Sequence, residues 1–139
     1  MKQPHELAHS NGMSFLLAAK TLMVPRALTE TTFQLPIAPA IVCYAFSTEI
    51  FLKSLLMRDG ISYKKHDLFE SFELLAPETK LKIMKSAHQK LKLNNEDFRT
   101  KLDKVKNAFI EWRYIHESDF GSIDLQFLTG LAEILSEVD

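Results

Sequence analysis

Residues 36–60 read PIAPAIVCYAFSTEIFLKSLLMRDG, and this stretch decides the fold. Pro36 loses no needed hydrogen bond at a helix start, and Pro39 still lies in the first turn. Ile37, Ile41, Tyr44, Ala45, Thr48, Phe51, Leu52, Leu55 and Leu56 then recur at helical spacing. Gly60 stands where a left-handed residue closes a helix. The segment is a long apolar helix whose partners must come from the rest of the chain. Glu49 and Lys53 are its charged interruption, spaced i,i+4 so that they can pair.

Working outward, Met13, Phe15, Leu16, Leu17 and Leu22 predict a helix from about Asn11 to Met23, stopped by Pro25. Residues 1–10 read as a loose terminus, and Arg26 to Leu35, with its threonine cluster, as a loop. Downstream, His66 to Leu75 predicts a short helix, and Pro77 opens a lysine-rich one to about Leu93. Asn94 or Asn95 is a good N-cap, followed by Glu96 and Asp97 in the first turn. Phe98, Leu102, Val105, Phe109 and Trp112 continue as one apolar seam. A last helix starts near Ser122, with Ile123, Phe127, Leu131, Ile134 and Val138 on one face. No segment alternates like a half-buried strand. The expectation is one all-α domain over residues 1–139, an antiparallel bundle of four to five helices.

The 139 residues are 46% hydrophobic and 25% charged, enough for a core without disulfides or metals. The single cysteine, Cys43, cannot staple the fold, and its apolar neighbours suit a packed thiol. No signal-peptide or membrane-spanning run stands out, so a cytoplasmic location is expected, with no membrane association. Net charge is −1, which excludes a general polyanion binder. The charge is uneven, however. Nine bases lie between Lys80 and Lys106 against Glu96, Asp97 and Asp103, whereas seven acids from Glu111 onward face Arg113 alone. The basic stretch reads as solvated helix surface or as a footprint for phosphate. In the second case Lys82, Lys85, Lys101 and Lys104 are the candidate nucleic-acid contacts.

His5-Glu6-Leu7-Ala8-His9 matches a helical zinc motif. It is set aside, because it follows Pro4 at the terminus and no third protein ligand is near except Glu30 in the predicted loop. No metal site and no cofactor are expected. Three constellations carry chemistry instead: Glu49 with Lys53, His66-Asp67-Leu68 at a helix start, and Trp112-Arg113-Tyr114-Ile115-His116-Glu117. Arg113 and His116, i,i+3 on a helix, lie about 60° apart on one face. Arginine clamps phosphate and histidine moves protons near neutral pH. The plain alternatives are a surface ion pair, a helix cap and a capping or interface cluster.

In this order, AFSTEIFLKSLL at 45–56, His66-Asp67-Leu68, and Ala108 to Tyr114 resemble the HEPN superfamily (higher eukaryotes and prokaryotes nucleotide-binding domain) over about residues 40 to 118. The resemblance implies a helical bundle that is usually a homodimer. Many members serve toxin–antitoxin or phage-defence systems, often beside a nucleotidyltransferase-like antitoxin. Active members resemble metal-independent RNases whose arginine and histidine have four to six residues between them and meet in a cleft at the dimer interface. Here only two residues separate Arg113 from His116. The expectation is therefore a dimeric module that binds RNA, a nucleotide or a protein partner. The alternative is an RNase using Arg113 and His116 with help from Glu49. A purely structural dimer is the third reading.

Overall fold

The computed structural model describes residues 1–117 and 121–138. They form an all-α structure: α1 (Pro4–Leu22), α2 (Ile37–Arg58), α3 (Leu68–Glu73), α4 (Pro77–Leu91), α5 (Asn95–Val105), α6 (Ala108–Arg113) and α7 (Leu125–Ser136), with a 3-10 turn at Ile115–Glu117. Five of these have eleven residues or more, and α3 and α6 are short connectors.

Helix α2 is the centre. It packs against α1, α3, α6 and α7, and Ile41, Phe51, Leu52 and Leu56 are 1% exposed. It is long and apolar enough to cross a membrane, but 72% of its most apolar window is buried within the fold, so its neighbours satisfy its hydrophobicity. Its end is a Schellman closure. The Gly60 N–H donates to the Met57 carbonyl and the Ile61 N–H to Leu56, with Gly60 at φ 76°.

Helix α1 runs antiparallel along α2. The Ser47 hydroxyl donates to the Gly12 carbonyl at 2.8 Å and the Ser54 hydroxyl to the His5 carbonyl at 2.6 Å. These bonds correct the expectation of a loose terminus over residues 1–10. Pro4 occupies the first helical position, and Glu6 reaches back to the Gln3 N–H at 2.7 Å. Such a reciprocal cap satisfies donors that would otherwise be orphaned, and the Ser54 bond ties the first turn to the core.

Other expectations stand with small shifts. Asp67 caps α3 through the Glu70 N–H, Pro77 starts α4, and Asn94 caps α5 through the Asp97 N–H. Asp124, not Ser122, caps α7 through the Phe127 N–H. Within the expected loop, Arg26–Ala27 and Phe33–Gln34 pair as a two-rung antiparallel ladder, closed by a 2.6 Å hydroxyl contact between Thr29 and Thr32. The seam from Phe98 to Trp112 is two helices rather than one. The Lys106 carbonyl accepts from the Leu68 N–H at 3.0 Å, so it is used by the start of α3. The chain turns there and lays α6 against α2.

Candidate functional site

Two of the chemistry-bearing constellations, Glu49 with Lys53 and His66, meet where α2 and the start of α3 come together, and α6 brings Arg113 of the third to an aromatic ring beside His66. Glu49 is 1% exposed in the middle of α2. A carboxylate so deep is tolerated only when charged or hydrogen-bonding groups meet it. Two do. Lys53 Nζ donates from one turn on at 3.1 Å, and His66 Nδ1 lies 2.9 Å from both Glu49 oxygens. An ionised carboxylate only accepts, so Nδ1 carries the hydrogen and the second ring nitrogen, Nε2, is left for another partner. Both donors keep solvent contact, with side-chain exposures of 24% for Lys53 and 39% for His66.

Helix α6 supplies the other wall. The Phe109 ring lies 5.4 Å from the His66 ring and stacks at 4.6 Å on Phe46 of α2. Phe46 in turn meets Phe15 of α1 edge-on. The Arg113 guanidinium sits 4.5 Å over the Phe109 ring and 5.2 Å from the Tyr114 ring. Arg113 is exposed, so this cation–π contact aims the side chain while contributing only about 0.5–1 kcal/mol. The buried Ala108 allows α6 to approach α2 closely. The surface thus presents a lysine and an imidazole on one buried carboxylate, with an exposed guanidinium over the Phe109 ring of the same aromatic group. Such a guanidinium can clamp an anion, and an imidazole oriented by a carboxylate can accept a proton in a defined direction.

His116 stands apart. Helix α6 ends at Arg113, and His116 lies in the following 3-10 turn, 73% exposed, with Nε2 3.9 Å from Glu117. The shared helix face expected for Arg113 and His116 does not form, because the helix that would carry it stops first. His66 is the histidine that shares an aromatic neighbour with Arg113. In the sequence His66 and Glu49 belong to separate constellations; the signal that joins them is an acid in an otherwise apolar helix, which demands a partner from elsewhere.

The basic stretch is largely spent on internal pairs. Lys80 and Arg99 both meet Glu73, Lys90 meets Glu137, Lys106 meets Asp103, and Lys101 meets Asp124. Lys82, Lys85 and Lys104 are exposed. Lys101 is therefore tied to the cap of α7, whereas the other three face solvent. The Lys101 ammonium, with help from the Phe127 N–H, holds the Asp124 carboxyl below its usual range. A depressed carboxyl stabilises the fold above its unfolded pKa and loses that contribution as pH falls through the folded value. Urea midpoints of the chain should therefore decline from about pH 5 to pH 3 more steeply than those of Asp124→Asn, which keeps a cap acceptor but no charge. Equal slopes would mean that the pair is too solvated to matter.

Cys43 is half-buried, and burial pushes its thiol pKa up, which disfavours the thiolate a nucleophile needs. The His5/His9 pair finds no third ligand: among the described residues no group of three or more His, Cys, Asp or Glu side chains is placed to hold a metal. No family model, curated protein or solved structure matches this chain.

Proposed function

We propose that the chain is a HEPN-like helical module that binds the phosphate backbone of RNA at the surface carrying Lys53, His66 and Arg113. The observation that supports this most is the buried Glu49 carboxylate, which fixes a lysine and a histidine, with Phe109 holding the histidine ring and the Arg113 guanidinium as common neighbour. Fixed cations lose little entropy on meeting phosphate, and the flanking rings offer stacking faces for unpaired bases. Exposed Lys82, Lys85 and Lys104 are candidates for additional backbone contacts. The module acts as a homodimer in a toxin–antitoxin or phage-defence setting, with a nucleotidyltransferase-like antitoxin as candidate partner. Exposed Met13, Leu17, Leu28 and Phe33 supply apolar area suited to self-association.

The test is fluorescence anisotropy with single-stranded RNA in EDTA at two salt concentrations. Arg113→Ala should weaken binding about tenfold or more, as expected for losing a hydrogen bond from a charged group, and the wild-type affinity should fall with salt. An affinity unchanged by the substitution would sink this site, and a structural dimer would then be the better account.

RNA cleavage without a metal is the second reading, favoured by the Glu49–His66 contact. In that reaction His66 Nε2 takes the ribose 2′-OH proton, and the 2′ oxygen attacks phosphorus while Arg113 stabilises the charge. The 5′ oxygen leaves with a proton from solvent, giving a 2′,3′-cyclic phosphate. Cleavage in EDTA lost in His66→Ala but kept in His116→Ala would select this reading; the reverse pattern would restore His116.

A further inference from the structure

We propose a second, separate anion site in the cleft between the first turns of α1 and the end of α2, suited to a small phosphate monoester. The cleft has a volume of about 370 Å³, the size of a small-ligand site. Its polar lining is one-sided. Lys2, His5, His9 and Arg58 face it, with Leu55 as apolar floor. Among the described residues that line it the one carboxylate is Glu6, which is already used, since it accepts the Gln3 N–H at 2.7 Å to close the helix start.

The bases are held in place. The His5 carbonyl accepts from the Ser54 hydroxyl at 2.6 Å, which pins the first turn of α1 to α2. His9, one turn on, rests against the Phe51 ring at 5.1 Å. The Arg58 guanidinium is steadied by the Thr79 hydroxyl at 3.3 Å and by Asp59 at 3.4 Å. A second hollow that shares His5 and Arg58, and is lined also by Gly60 and Ser62, leaves room for the organic part of a ligand.

Two imidazoles at i,i+4 would suit zinc only with a third ligand, and Glu6 is turned to the Gln3 N–H. The same imidazoles beside a guanidinium suit a phosphate, whose several oxygens accept from all three, and arginine matches that geometry with two parallel donors. A carboxylate offers two acceptor oxygens and a single charge, where a phosphate monoester offers three oxygens and more charge, so it should bind the set more weakly. The site does not depend on the RNA surface at Glu49.

Histidine ring-proton resonances of the full chain, titrated with inorganic phosphate and with ribose 5-phosphate, test this. The chain has five histidines, which report separately. Saturable shifts at His5 and His9, with His88 and His116 still, are expected; acetate should not reproduce them. Arg58→Gln should weaken the response about tenfold or more, and His5→Gln provides a second variant should Arg58→Gln disturb folding. The proposal fails if shifts do not saturate, if all five rings move alike, if both variants respond as wild type, or if only His66 responds. That last result would assign phosphate to the Glu49 surface instead.

Discussion

Replacing Lys53 by methionine and His66 by leucine together is expected to destabilise the chain by about 3–5 kcal/mol, well beyond the sum of the two single changes. The reason is the depth of Glu49, 1% exposed in the middle of the central helix. Either single variant leaves the carboxylate one charge-assisted donor, so each should cost only about 1 kcal/mol. The double variant strands a buried charge. It must then take up a proton or open α6 to water, and both routes are unfavourable. Adding Glu49→Met to the double variant should recover most of the loss, because an apolar triad needs no compensation. Urea unfolding of the five proteins measures this directly. A double variant within about 0.5 kcal/mol of additivity would show that water already serves Glu49, and the carboxylate would lose its place as organiser of the site.

The same carboxylate shows how far the amino-acid order carried. Local signals were legible wherever the physics is local. Pro36 and Gly60 bound α2, and Asp67, Pro77 and Asn94 mark three helix starts, because a cap acts within one turn. Glu49 and Lys53 were legible as a pair for that reason. Their burial was not, since it depends on what packs over them, and His66 reaches Glu49 from seventeen residues away. The break between α5 and α6 was hidden by an apolar spacing that runs straight through it. Its cause is a distant donor, the Leu68 N–H on the Lys106 carbonyl. That turn also shapes the site, because α6 then brings Phe109 against His66, while the end of α6 at Arg113 parts it from His116. The N-terminus is illegible for the same reason: a helix start beside Pro4 looks frayed until Ser54 of α2 holds it.

Phe51→Ala is expected to cost about 3–5 kcal/mol, the range for truncating a buried aromatic side chain. Phe51 is 1% exposed and fills the crossing of α1 and α2, where Gly12 leaves room for it. A methyl group built on Gly12 would lie 2.8 Å from two ring carbons of Phe51. Gly12→Ala therefore sets two effects against each other. Alanine gains about 1 kcal/mol of helix propensity, and overpacking a fixed core ring costs about 1–3 kcal/mol. The ring belongs to the central helix and cannot swing aside, so the net effect is destabilising. In a Phe51→Leu background the obstacle shrinks, and the propensity gain should then prevail, reversing the sign of Gly12→Ala. No reversal in urea midpoints would mean that α1 shifts to absorb the methyl group, and that the Ser47 bond to the Gly12 carbonyl does not fix the crossing. The same background separates the two sites. Phe51 supports His9, whereas Phe46 and Phe109 support His66 and Arg113. Phe51→Leu should therefore weaken the phosphate response at His9 and leave RNA affinity at Arg113 unchanged. Loss of both together would trace to a general loosening of α2 rather than to either surface.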